Sequence, residues 1–91
     1  MAYQVYLLRS IGQGRYYIGC SEHVVKRLGE HNRGIVRSTK AYRPYELVYT
    51  ELYSTKTEAL RRERHLKSRE GWNELQEIKR RGRGFPSGMA V

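Results

Sequence analysis

Residues 14–31 read GRYYIGCSEHVVKRLGEH, and their interpretation decides the fold. An aromatic, β-branched run, RYYIG at 15–19, stops at a glycine and passes straight into a helical pattern. Upstream, YQVYLLRS at 3–10 has the same strand character, and the two runs flank IGQG. Gly12-Gln13 puts glycine first, as a type II′ turn prefers, so the pair reads as an antiparallel hairpin. A two-residue turn at 12–13 and a four-residue loop over 11–14 give one register, with Leu8 opposite Tyr17 and Tyr6 opposite Gly19. Tyr6 and Tyr17 then share a face as diagonal neighbours, and Gly19 leaves the Tyr6 hydroxyl open to a ligand.

Beyond the hairpin, Ser21 is placed to cap a helix over 22–32, with Glu22 favourable at its positive end. A basic loop, NRGIVRSTKAYRP, follows and ends at Pro44, and YELVYTELY at 45–53 reads as a third strand. Thr55 and Glu58 have capping-box spacing and open a second helix to about Arg69. Asn73 and Gln76 have the same spacing for a third helix, which Lys79–Arg81 close before Gly82. The expected fold is therefore α+β: a three-stranded antiparallel sheet flanked by helices, in the order β-β-α-β-α-α. Residues 1–82 form one domain, and 83–91 are expected to be a loose tail.

Helical periodicity, at about 100° per residue, sets the side chains of interest. Val24 and Leu28 define the apolar stripe of the first helix, and Arg27 and His31 fall within the same arc. Taken alone, Arg27 is better accounted for as an arginine packing its methylenes against the sheet than as a ligand contact. On the second helix Ala59, Leu60 and Leu66 form the apolar face, with Glu63 in its midst. A carboxylate there must be paired, protonated or bound to a cation, because burying it bare costs several kcal/mol. An arginine partner is one solution. A divalent metal is another, since magnesium is commonly held by one or two carboxylates with water and phosphate oxygens.

Composition points the same way. The chain has 91 residues, 18 Lys and Arg against 9 Asp and Glu, and a net charge of +9. Such an excess suits a polyanion, nucleic acid first and an acidic membrane surface second. A chain this short buries only about 60% of its unfolded surface, so an active site is expected to be a shallow groove. The single Cys20 excludes an internal disulfide and fits a reducing cytoplasm. No apolar run approaches the ~20 residues that span a bilayer, and the N-terminus lacks the pattern of a signal peptide. Cys20 and His23 supply half of a zinc spacing without a second pair, and Gly12 and Gly14 lack the third glycine of a dinucleotide loop. Two tyrosines, an arginine, a histidine and a glutamate turned toward one sheet, in a basic chain, suggest a metal-assisted phosphodiesterase.

These residues resemble the GIY-YIG endonuclease domain, in its small single-domain form. The first motif stands as Gln4-Val5-Tyr6, with glutamine for the usual glycine and valine for isoleucine, and the second is complete as Tyr17-Ile18-Gly19. The family's helix arginine falls on Arg27, its histidine on His31 and its metal-binding glutamate on Glu63. The resemblance covers residues 2 to about 80. It implies hydrolysis of DNA phosphodiesters with Mg²⁺ or Mn²⁺, in a setting of DNA repair or recombination. It also implies a tyrosine, Tyr6 or Tyr17, that assists the attacking water, and an arginine on the scissile phosphate. Asn73 stands where many members carry a polar residue near the metal, although a capping role explains it equally well. Arg37, Ser38 and Lys40 in the basic loop, with Arg61, Arg62 and Lys67 on the second helix, are the expected contacts to the nucleic-acid backbone. Without a second domain to select the target, a protein partner is expected to supply specificity. The competing reading is a catalytically inactive basic module that binds DNA or RNA by stacking bases on its eight tyrosines.

Overall fold

The computed structural model describes residues 2–84. Strands β1 (Tyr3–Ser10), β2 (Tyr16–Ser21) and β3 (Tyr45–Tyr53) form one antiparallel sheet in the order β2-β1-β3. Helices α1 (Val24–Asn32), α2 (Lys56–Lys67) and α3 (Trp72–Gly84) complete the expected element order. Because side chains alternate along β1, its two sets of apolar residues build two cores. Val5 and Leu7 join Ile18, Val48, Ala59, Leu66 and Ile78 beneath α2 and α3. Tyr6 and Leu8 join Val24 and Tyr45 beneath α1.

The hairpin has the expected register, with Leu8 opposite Tyr17 and Tyr6 opposite Gly19. It closes through a four-residue loop over 11–14, where the Ser10 N–H donates to the Arg15 carbonyl at 2.7 Å. Gly12 and Gly14 both have positive φ, at 84° and 67°, which only glycine adopts at little cost. On the other side of β1, β3 carries one extra residue at Val48, since Leu7 faces Tyr49 while Leu8 faces Leu47.

Helix boundaries depart from expectation in three places. Strand β2 runs on through Ser21, which pairs with Gln4. The Ser21 hydroxyl accepts from the His23 N–H at 2.9 Å, so it turns the chain ahead of the helix. The N-cap of α1 is His23, without a side-chain bond, and Glu22 precedes the first turn. Helix α3 begins at Trp72, which places Asn73 inside it and not at its cap. Gly71 stands just ahead of the helix, where the close packing admits no side chain, because a Cβ there would lie 2.1 Å from the His65 carbonyl oxygen. Finally, α3 continues past Gly82 to Gly84, and 85–91 of the expected tail lie outside the described residues.

Two side-chain devices fix the helices to the sheet. At the C-terminal end of α1, Asn32 pairs with the Tyr45 backbone like a strand, accepting from its N–H at 2.6 Å and donating to its carbonyl at 3.0 Å. At the start of α2, Thr55 and Glu58 form the expected capping box. The loop between α1 and β3 includes a short 3-10 turn, Lys40–Tyr42. No helix among the described residues is long and apolar enough to cross a membrane.

Under α2 and α3, Glu51 is the centre of a polar network. Arg62 donates to both its oxygens at 2.8 and 2.9 Å, and the hydroxyls of Tyr49 and Tyr53 donate at 2.5 and 2.7 Å. Arg62 also pairs with Glu74 of α3. Burial pushes the Glu51 carboxyl up, but Arg62 and the two hydroxyls outweigh it and hold the group below its ordinary 4.5. A carboxylate depressed in the folded state stabilises the protein above its unfolded value and loses that contribution as pH falls through the folded one. The urea midpoint should therefore decline as pH drops below 4.5, and Glu51→Gln should flatten that decline. Arg62→Ala should cost about 3 kcal/mol at pH 7, because it leaves Glu51 unpaired, as read by urea unfolding.

Candidate active site

An open groove of about 410 Å³ runs between α1, the edge strand β2 and α2, and Tyr6, Tyr17, Gly19, Arg27 and Glu63 line it. Tyr6, on the central strand, is almost fully buried and points its hydroxyl at the groove. Gly19 makes that possible. A Cβ at this position would lie 2.6 Å from the Tyr6 hydroxyl oxygen and 2.9 Å from the Tyr17 ring. The sequence reading left this space for a ligand, but the phenol of Tyr6 itself fills it.

His31, on the inward face of α1, is wholly buried beneath the groove. Its Nε2 lies 3.1 Å from the Tyr6 hydroxyl, and its Nδ1 lies 2.8 Å from Thr39 Oγ1. The Tyr17 ring packs on the imidazole with centroids 4.7 Å apart, and Tyr6 and Tyr17 stand 6.2 Å apart as the register requires. Burial first, then the positive charge of Arg27, lowers the His31 pKa and keeps the ring neutral near pH 7. Burial pushes the Tyr6 hydroxyl up to about 12, although Arg27 beside it pulls the other way.

Arg27 is half-exposed and pairs with Glu30 one turn on, at 2.9 Å. Its guanidinium keeps one side toward the two tyrosines, whose hydroxyls help to hold its charge. Across the groove, Glu63 has 20% of its side chain exposed and bonds Lys67 at 2.8 Å. That lysine, and not an arginine, satisfies the carboxylate. Lys67 is itself 50% exposed, so the pair is weak and readily exchanged. The Cys20 thiol also lies against Glu63, and its pKa is raised by burial first and by that carboxylate second.

The remaining expected residues divide. Arg37, Ser38 and Lys40 are exposed on the loop after α1. Arg61 is exposed on α2 beside the groove's outer wall, next to Leu60 and Arg64. Leu60 was expected in the core but is 42% exposed. Arg62 turns away from the groove into the Glu51 network. Asn73 is exposed in the first turn of α3, apart from the groove. No group of three or more His, Cys, Asp or Glu side chains converges on one point among the described residues. Thr39 escaped the sequence reading altogether, because a threonine inside a basic loop gives no periodic signal that it points inward.

A model of the GIY-YIG catalytic domain matches residues 2–76. A UPF0213 protein of Staphylococcus aureus (strain Mu3) is 41% identical over 78 residues, covering 85% of this chain and 94% of that protein. The UPF0213 protein of strain N315 matches to the same extent. The solution NMR structure of a UPF0213 protein from Bacillus halodurans is 32% identical, with a TM-score of 0.50, and the likeness covers 87% of this chain and 86% of that one.

The packing around Gly19 can be tested directly. Gly19→Ala must displace either the Tyr6 ring, which is 1% exposed, or strand β2. Overpacking of this kind costs about 1–3 kcal/mol. The variant should unfold at lower urea by that amount and lose the ring contact between Tyr17 and His31 in NMR spectra.

Proposed function

The chain belongs to the GIY-YIG family, a family of nuclease domains, and on that premise we propose that it is a metal-dependent endonuclease that hydrolyses DNA phosphodiesters in this groove. The observation that carries the reading is the buried Tyr6–His31 hydrogen bond, with Arg27 and Glu63 lining the same groove.

Arg27 binds the scissile phosphate through its planar guanidinium, exchanging its partly exposed bond to Glu30 for a charge-assisted pair. Water attacks phosphorus in line, forming one P–O bond as the bond to the leaving oxygen breaks. The base cannot be a standing tyrosinate, because burial holds Tyr6 at about 12. Tyr6 instead takes a proton from the water while its own proton passes to Nε2 of His31, a neutral acceptor already bonded to it. This separates the two tyrosines. Tyr6 moves the proton, while Tyr17 packs the imidazole and walls the groove.

Glu63 is the residue that would hold Mg²⁺ or Mn²⁺. The donor set fits, since one groove-lining carboxylate with an exchangeable lysine partner leaves the rest of the shell to water and phosphate oxygens. When bound, the cation supplies Lewis-acid stabilisation of the charge on the leaving group. Arg37, Ser38, Lys40, Arg61 and Lys67 supply backbone contacts to the nucleic acid, supported by their exposure and by the charge of +9. Arg62 is excluded from that set by its bonds to Glu51 and Glu74.

The test is cleavage of plasmid, linear, single-stranded and branched DNA with Mg²⁺ or Mn²⁺, and with EDTA. Wild type should cut one or more of these only with metal. Arg27→Ala and Glu63→Ala should each lose at least about 100-fold, the scale of removing one group that stabilises transition-state charge, while keeping wild-type urea midpoints within about 1 kcal/mol. Salt-sensitive binding without cutting on every substrate would overturn the nuclease reading in favour of a non-catalytic binding module.

A further inference from the structure

We propose that Thr39 is a positioning residue that holds the proton of neutral His31 on Nδ1, so that Nε2 faces Tyr6 as a hydrogen-bond acceptor. The proposal rests on the nuclease reading for its consequence, but not for the geometry that motivates it.

Thr39 sits eight residues after His31, in the loop between α1 and β3. Its neighbours Arg37, Ser38 and Lys40 are exposed, whereas Thr39 is 1% exposed and its hydroxyl points inward. Oγ1 lies 2.8 Å from His31 Nδ1 and 3.3 Å from the Val36 carbonyl oxygen. A hydroxyl has one proton, a carbonyl only accepts, and a neutral imidazole carries one N–H. Three protons therefore serve three bonds in one arrangement. Thr39 donates to Val36, His31 Nδ1–H donates to Thr39, and the Tyr6 hydroxyl donates to Nε2. The opposite tautomer has Thr39 donating to Nδ1 and Nε2–H donating to Tyr6. It gives up the hydroxyl's bond to the Val36 carbonyl, which keeps the Thr39 backbone N–H at 3.2 Å, and it leaves the Tyr6 proton without its buried acceptor.

Only the first arrangement gives Tyr6 somewhere to send a proton. As the water loses its proton to Tyr6, the Tyr6 proton moves to Nε2, and the resulting imidazolium keeps its Nδ1–H bond to Thr39. The leaving oxygen takes its proton from the water of the open groove and the imidazolium gives its extra proton back through Tyr6, so these groups end the turnover as they began. A threonine hydroxyl thus does for His31 what a second hydrogen-bonding group does for other catalytic histidines, fixing tautomer and ring orientation.

The experiment is a two-bond ¹H–¹⁵N correlation spectrum of ¹⁵N-histidine-labelled protein at pH 8, which reads each ring's tautomer without any substrate. The chain has three histidines, and His31→Gln identifies the relevant signals. Wild type should show His31 protonated at Nδ1. Thr39→Ser should keep that tautomer and cleave within about threefold of wild type. Thr39→Val should move the proton to Nε2 or mix the two forms, and should cleave about 10- to 100-fold more slowly at unchanged KM. Thr39→Ala provides the same readout should valine unfold the loop. An Nε2–H tautomer in a wild-type protein that cleaves, or the same tautomer in wild type and Thr39→Val, would overturn the assignment of Thr39. An Nδ1–H tautomer in a protein that cleaves nothing would overturn the nuclease reading and, with it, the catalytic part of Thr39.

Discussion

Tyr6 reaches His31 because the residue across from it in β2 has no side chain. The phenol lies over Gly19, in space a single methyl group would take away. From that contact the rest of the groove follows. Tyr6 is central in the sheet and buried, so its hydroxyl position is fixed to the accuracy of the core. Its bond to Nε2 holds α1 at one height over the sheet, and the Asn32 bonds to the Tyr45 backbone hold the end of the same helix. With α1 fixed at both points, Arg27, one turn before His31, has its place at the groove's rim. A chain of this size cannot enclose a site, but it can set one firmly by hanging it on the middle strand.

What the sequence made legible was whatever depends on periodicity or on local bonding. The hairpin register was readable because a two-residue and a four-residue connection place Tyr6 and Tyr17 on one face alike, and the choice between them did not matter. Strand β3 and the Thr55–Glu58 capping box were readable for the same reason, each being set by neighbours in the chain. Failures occurred where tertiary contacts override local signals. Ser21 has the chemistry of an N-cap, but β1 keeps it in the sheet. Asn73 has it too, but α3 already begins at Trp72, behind a Gly71 that packs closely on the end of α2. Arg62 and Glu63 are adjacent in sequence and looked like one basic surface and one buried acid. A step of about 100° sends Arg62 to Glu51 and Glu63 to the groove. Thr39 was invisible because its partner is reached only when a loop folds back over a helix.

The two polar networks show how a small basic protein divides its few carboxylates. Its acidic side chains are all glutamates, nine in number. Glu51 and Glu74 are held by Arg62, Glu46 by Arg9, Glu77 by Arg80 and Arg81, and Glu58 by the capping box. The pairings of Glu51, Glu74 and Glu46 tie separate elements of the fold together and neutralise an arginine in doing so, whereas Glu77 pairs within its own helix and Glu58 caps α2 without a cation. Glu63, like Glu77, is paired only within its own helix, to a half-exposed lysine that contributes little to the fold, but unlike Glu77 it lines the groove. Losing Lys67 to a passing phosphate, or Glu63 to a divalent cation, therefore costs the structure little. The same cannot be said of Glu51. A carboxylate that must be free to change partners has to be kept off the pairs that hold the fold, and of the two buried or half-buried acids flanking α2, only the one facing the groove is in that position.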